Sequence, residues 1–512
     1  MFVTTPVIVF GCRAMRKKVR SFSAKTVLAV TLIFFSFSMF SDLMPNIFRG
    51  YDSQRFFVLG LWSATIVYFL TRWAFLGTIP ELIRIYFFPV VFPLLFILLA
   101  ALPPHPVPHI WVEPLQYALF LTAVVIWASA YKNLGGWDTA KELILGLLFI
   151  ASLYALMNIN IYIFAALDGF SKITDVIPFG FENMRLWSQI ATFILPLFAL
   201  AGVLSQRFSS SLPLSFLMIG AGLWWWIALL TTSRGTIFSV VVATLFVSVM
   251  FRKYAFRVIK MLLIQAFLGL FFWILLSLYL PGLWSENDIQ RGLSFSDSGR
   301  FALWAEAIQM SLVDFPLGMG PMSWVFHQPL TAGYERFGSI GSPHNMYLLW
   351  AAEYGWLFLA ILIGSTLLTL MRLRSAFPRI RDFSESEQKH LLAGLSLSGA
   401  AGITDANFSG VFISPSSLFL AFFVFSQVLG ILSCYAAEAD GKIEKATSKN
   451  SRCPLFIRLS VFILVGLALC FYWFGLIEFF DAMSLDAETF REQERSPFAA
   501  RFWLHGLFPR SP

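Results

Sequence analysis

Residues 258–280 read VIKMLLIQAFLGLFFWILLSLYL, with Lys260 as the only charge. A helix needs about 20 apolar residues to cross the hydrocarbon of a bilayer, and this run is long enough. Comparable runs recur along the chain, near 25–44, 56–75, 85–102, 114–131, 142–167, 187–204, 214–232, 236–251, 345–371, 391–407, 417–436 and 455–477. Only 13% of the 512 residues are charged, against about 25% in soluble domains. Mean hydropathy is +0.73. The pattern predicts an all-α integral membrane protein of about 12–13 transmembrane helices, interrupted by one long polar loop of short helices.

The net charge of +8 reads as topology, because basic residues collect in cytoplasmic loops. With the amino terminus inside, cytoplasmic segments hold roughly 25 Lys and Arg and outer ones roughly 12. Arg252, Lys253 and Arg257, and then Arg372, Arg374, Arg379 and Arg381, anchor that orientation. The chain divides into a cytoplasmic segment 1–24, helices one to nine over 25–280, an outer loop 281–344, helices ten to thirteen over 345–477, and an outer tail 478–512. Residues 1–24 do not read as a signal peptide, since Arg16, Lys17 and Lys18 follow the apolar run. Met15 is an alternative start. Cys12, Cys434, Cys453 and Cys470 all lie outside the long loop, so neither a disulfide nor a thiolate metal site is expected there. Phe498, Phe502, Trp503, Leu507 and Phe508, with Arg501 and Arg510, predict a tail lying in the membrane interface.

The long loop is where chemistry is expected. Ser296–Trp304 (SDSGRFALW) and Ser342–Leu348 (SPHNMYL) put a cation at Arg300 and an imidazole at His344 between two spans. Ser298 can cap a helix beginning near Gly299. Phe301, Trp304, Ile308 and Leu312 recur at helical spacing, a stripe that would lie flat on the membrane or the bundle. Pro316 ends that helix, and Leu317–Pro321 reads as a turn. Two other outer elements carry arginine: the loop 168–186 with Arg185, and Thr231–Gly235 with Arg234.

Arg185, Arg234 and Arg300 are each predicted at the outer boundary of the membrane. Arginine there faces a polar cavity, pairs with an anion, or snorkels to headgroups. Guanidinium groups recognise phosphate bidentately and stay charged, so three converging would suit a diphosphate. His344 is the candidate base, with a structural histidine at the helix entry as the competing reading. His327 is the weaker alternative, and His105 and His109 read as solvated. Glu353 lies nine residues on, about 13 Å along the axis on the opposite helix face, so a packing role is expected. Asp405 and Asn407 could join a polar cavity at the outer end of their span. No phosphate-binding glycine loop with Lys, zinc-type HExxH, nucleophile elbow or paired acidic motif occurs. Arg and His alone require a substrate that arrives already activated, such as a lipid-linked diphospho-sugar.

Together, Phe181–Gln189 (FENMRLWSQ), Thr232–Gly235 (TSRG), Ser298–Gly320 (SGRFALWAEAIQMSLVDFPLGMG) and Ser342–Gly355 (SPHNMYLLWAAEYG) resemble the bacterial O-antigen ligase and polymerase superfamily. The resemblance implies a metal-independent, inverting membrane glycosyltransferase of the C-type fold, without a cofactor, using an undecaprenyl-diphosphate-linked glycan. It implies that Arg234 and Arg300 hold the diphosphate, that His344 deprotonates the acceptor hydroxyl, and that Arg185 supports them. A thirteenth span with an outer tail departs from the family's common end near a twelfth. Asp405–Pro415 (DANFSGVFISP) resembles a form found in protein-glycosylating relatives. The expectation is transfer at the periplasmic face of the inner membrane to a lipid A core sugar, as in an O-antigen ligase. Another lipid-linked glycan (polymerase) or a pilin-like protein's Ser/Thr hydroxyl are the alternative acceptors. The rival from another class, a secondary transporter or flippase, would show repeated halves and helices broken at mid-membrane.

Overall fold

A computed structural model of the chain describes residues 26, 28–45, 50–76, 95, 109–131, 136–168, 173–204, 214–281, 299–335, 340–382, 386–439, 454–492 and 500–506. Apart from residue 95, the expected span near 85–102 lies outside them, as do residues 1–24, His105, Ser298, Phe498, Leu507, Phe508 and Arg510. The described elements are α1 (Leu28–Met39), α2 (Gly50–Leu76), α3 (Val112–Ala130), α4 (Trp137–Leu167), α5 (Met184–Phe198, resumed over Ala201–Leu204), α6 (Leu214–Leu230), α7 (Arg234–Phe251) and α8 (Lys253–Trp273, continued by a wider turn over Ile274–Tyr279). They continue with α9 (Arg300–Val313), α10 (Met346–Asp382), α11 (Ser386–Asp405), α12 (Pro415–Ala439) and α13 (Leu455–Glu492). No strand occurs among the described residues. Nine helices there are long and apolar enough to cross a membrane, so the protein is an all-α, multi-pass membrane protein.

The hub of the bundle is α5 with α11. Ile190 to Leu200 on α5 and Leu391 to Leu397 on α11 are almost entirely buried, and α7, α8 and α12 surround them. A helix enclosed by protein needs no lipid-like surface, and α11 accordingly mixes small and polar residues among its leucines. Contact there is backbone-close: a Cβ on Gly402 would stand 2.4 Å from the Phe193 ring. In the interior Trp224 donates Nε1–H to Ala151 O at 2.8 Å, tying α6 to α4.

Gly355 interrupts α10 with φ 85° and ψ 168°, a conformation essentially confined to glycine. The break frees the carbonyls of Ala352 and Glu353, and the turn after α9 fills it. Met319 N–H donates to Ala352 O at 2.8 Å and Gly320 N–H to Glu353 O at 2.9 Å. Loop backbone thus replaces the missing helical bonds, which is how broken helices are tolerated at membrane depth. A Cβ at Gly355 would lie 2.1 Å from Pro316 O, a backbone atom. Gly355→Ala is therefore expected to destabilise the protein by at least about 3 kcal/mol, read as a lower unfolding midpoint in detergent. An unchanged midpoint would show that loop and helix are not locked together.

α9 docks on α10 through Leu303, Ala307 and Met310, all buried. The apolar stripe faces away from the bundle: Phe301 is 67% exposed and Leu312 52%. Of the two surfaces foreseen for it, the bundle is ruled out, because contact is made by residues one to two positions along the helix. α9 ends at Val313, short of Pro316. The tail also departs from expectation. Arg501, Phe502 and Trp503 are 0–1% exposed and sit inside the bundle instead of lying on its surface. Their aromatic rings pack with Phe56, Phe479 and Phe480, while Arg501 is neutralised by carboxylates from two helices.

Candidate active site

Four helices begin at one end of the bundle, and their first residues build the site. Asn183 caps α5, its Oδ1 accepting from the N–H groups of Arg185 and Leu186 at 2.9 and 3.1 Å. This places Arg185 in the first turn. α6 and α7 are joined by only Thr231, Thr232 and Ser233, with Thr232 at φ 50°, so Arg234 opens α7 at the same level. Gly299, at φ 76°, precedes Arg300 at the start of α9. Asn345 caps α10 through Tyr347 and Leu348 N–H, and His344 stands just before it. Helix amino termini carry partial positive charge, so the scaffold adds to the arginines' field.

Arg185, Arg234, Arg300 and His344 all line one cavity of about 560 Å³. Its walls also include Tyr51, Gln189, Ser342, Asp405, Ser409 and Ala500. Three guanidinium groups face a single carboxylate among the lining residues, leaving a cationic excess of two. That balance suits an anion with two charges. Arg300 is half-buried, and burial, then its neighbour Arg234, push its pKa down while Asp405 opposes them. Asp405 is held by Ser409, whose Oγ donates to Oδ2 at 2.6 Å.

Arg185 Nη1 lies 2.9 Å from His344 Nε2. A guanidinium can only donate, so Nε2 is the acceptor and the imidazole proton is assigned to Nδ1. His344 has φ 55°, a left-handed conformation uncommon for a side-chain-bearing residue, and its N–H reaches Ser342 Oγ at 3.4 Å. Met346 N–H donates to Ala406 O at 2.7 Å and pins the next residues to the end of α11. Burial, then Arg185 and Arg300, push the His344 pKa down from 6.5 to about 3. These surroundings favour the neutral ring.

The other candidates go elsewhere. His327 is buried against Glu306, 2.9 Å from Nε2 to Oε1, and Glu306 also accepts from Leu330 N–H and Thr331 Oγ. That cluster ties the loop to α9 and does not line the cavity. His109 is half-buried, not solvated, stacking on Phe479 at 5.6 Å because its loop packs against α13. Glu353 is buried at 2.7 Å from Arg501, a packing role. Asp405 lines the cavity, whereas Asn407 bonds back to Thr404 O and does not. Cys470 is exposed and free. Among the described residues no three His, Cys, Asp or Glu are grouped to hold a metal ion. Gln189, Ser409 and Ala500 were not anticipated. Gln189 lies one turn beyond Arg185, a spacing that could have flagged it; nothing in the sequence marks Ala500.

Residues 216–363 match a family model described as O-antigen ligase. That stretch is an O-antigen ligase domain. It is consistent with the O-antigen ligase and polymerase superfamily and supports a membrane glycosyltransferase type of activity. The O-antigen ligase domain contains Arg234, Arg300 and His344, while Arg185, Asp405 and Ala500 reach the cavity from outside it. None of the curated proteins compared with the chain matches it.

Proposed function

We propose that the protein transfers a glycan from undecaprenyl diphosphate to an acceptor hydroxyl at the periplasmic face of the inner membrane, as an O-antigen ligase acting on a lipid A core sugar. The observation that carries this reading is the shared cavity of Arg185, Arg234, Arg300 and His344. Arg234 and Arg300 bind the diphosphate, whose two charges match the cationic excess. The acceptor oxygen attacks the anomeric carbon as the carbon–oxygen bond to the diphosphate breaks, inverting the configuration. Negative charge grows on the departing diphosphate, and guanidinium groups already in place stabilise it without reorganisation. The hydroxyl proton passes to His344 Nε2. For that, Arg185 must leave the imidazole, and the incoming diphosphate supplies its new partner.

This scheme has a pH signature. In the free enzyme His344 stays neutral as pH falls through 6.5, because its pKa lies near 3. kcat/KM for the donor is therefore expected to show no acid limb from His344 between about pH 8 and pH 5. Bound diphosphate cancels the arginines' field and raises the imidazole pKa, so the limb in kcat should lie at higher pH than that in kcat/KM. An acid limb in kcat/KM at 6.5 or above would contradict the Arg185–His344 contact in the free enzyme.

The acceptor is tested by reconstitution with one defined lipid-linked glycan and three acceptors offered separately: lipid A core, a second lipid-linked glycan, and a pilin-like protein. Transfer to core alone supports the ligase reading. Transfer only to another acceptor replaces it with the polymerase or protein-glycosylating alternative. A flippase reading is less well supported, since the break in α10 is filled by loop backbone and not left facing a transport path.

A further inference from the structure

The tail places a charged residue beside the site without touching the cavity's arginines. Arg501 is fully buried. Its Nε and Nη2 donate to the two oxygens of Glu113 on α3 at 3.0 and 2.7 Å, and Nη2 also to Glu353 on α10 at 2.7 Å. Its remaining nitrogen, Nη1, donates to Gly341 O at 3.2 Å. Gly341 is three residues before His344, in a segment otherwise held by Trp324 Nε1 on Ile340 O and by Ser342 Oγ on His344 N–H.

The tail itself is clamped by one face of α2. Tyr51 Oη donates to Arg501 O at 2.7 Å, Arg55 Nε to Phe502 O at 2.8 Å, and Asp52 accepts from Leu504 N–H at 2.7 Å. Arg55 also reaches Gln116 on α3 and Ile413 O, beside the cavity. Ala500, next to Arg501, lines the cavity. The ion pairs with the two carboxylates occupy only Nε and Nη2 of the guanidinium. The part left over is aimed at the backbone that carries the imidazole.

We infer that Arg501 is a positioning residue for the active site: it holds the 340–344 segment so that His344 meets Arg185 and the cavity. The inference rests on the proposed role of His344. Arg501→Lys keeps a charge for Glu113 and Glu353, but its donors sit on one nitrogen of a shorter side chain and do not span the acceptors that Nε, Nη1 and Nη2 reach across the planar guanidinium. In proteoliposomes this variant is expected to lose roughly tenfold or more in kcat, with donor KM within about twofold of wild type. Glu113→Gln is the control, since it weakens the buried ion pair and leaves the Gly341 contact in place. It should lower kcat far less than Arg501→Lys does, with the unfolding midpoint of each variant measured alongside.

Diethylpyrocarbonate labelling of His344, followed by peptide mass spectrometry, reads the placement of the ring without any turnover. Labelling should rise severalfold in Arg501→Lys and stay at the wild-type rate in Glu113→Gln. Unchanged labelling in Arg501→Lys, or losses of kcat that merely track stability in both variants, would overturn the inference. An active His344→Ala enzyme would instead remove the role of His344, and labelling would still decide whether Arg501 places it.

Discussion

Arg300→Ala is expected to lower kcat for glycan transfer by about 10²–10³-fold, with membrane abundance unchanged. The size follows from where charge develops. The diphosphate leaves as an anion, and Arg300 opens α9 on the cavity wall, where half-burial and the nearby Arg234 make its charge costly until an anion arrives. Binding and bond cleavage both relieve that cost, so the guanidinium acts most strongly as the bond breaks. Stability should be spared, because α9 docks through Leu303, Ala307 and Met310 and not through Arg300. Arg300→Lys should recover only part of the loss, a point charge replacing a bidentate fork. Transfer from a lipid-linked donor in proteoliposomes, at matched protein amounts, measures both variants. Wild-type rates in Arg300→Ala would take this residue out of the mechanism.

His344→Ala is expected to reduce transfer by about 10²–10⁴-fold, the usual worth of a positioned general base. Two effects need separating, because His344 also has a left-handed backbone that alanine adopts poorly. His344→Asn tolerates that backbone and can still accept from Arg185, yet it cannot take up a proton. If proton removal is the role of the imidazole, the Asn variant should be as inactive as the Ala variant while unfolding at the wild-type temperature. An Asn variant with substantial activity would mean that His344 only holds Arg185 in place. The diphosphate would then have to receive the proton.

How much of this was legible beforehand differs from residue to residue. The apolar run 258–280 needed no tertiary context, since a bilayer's thickness alone makes such a segment a helix. Arg234 and Arg300 stood out because cations beside long apolar runs require a reason. Arg501 carries the same chemistry, and its neighbours in sequence suggest an interfacial segment. Alternating aromatic and basic residues look alike whether they meet headgroups or a bundle interior, and the difference lies in Glu113 and Glu353, 388 and 148 positions away. The stripe on α9 leaves its surface open for a related reason: helical spacing reveals that a face exists but not which neighbour it meets.

Hydrocarbon-length segments, their charge bias and the unusual basic residues beside them are local properties, and the chain alone determined these. Bringing Arg185, Arg234, Arg300 and His344 around one cavity, filling the break at Gly355 with a loop, and burying Arg501 behind Gly341 were decided only by tertiary structure. Each depends on contacts between residues far apart in the chain, and the strength of an ion pair, or the basicity of an imidazole, is set by what surrounds it and not by its own side chain.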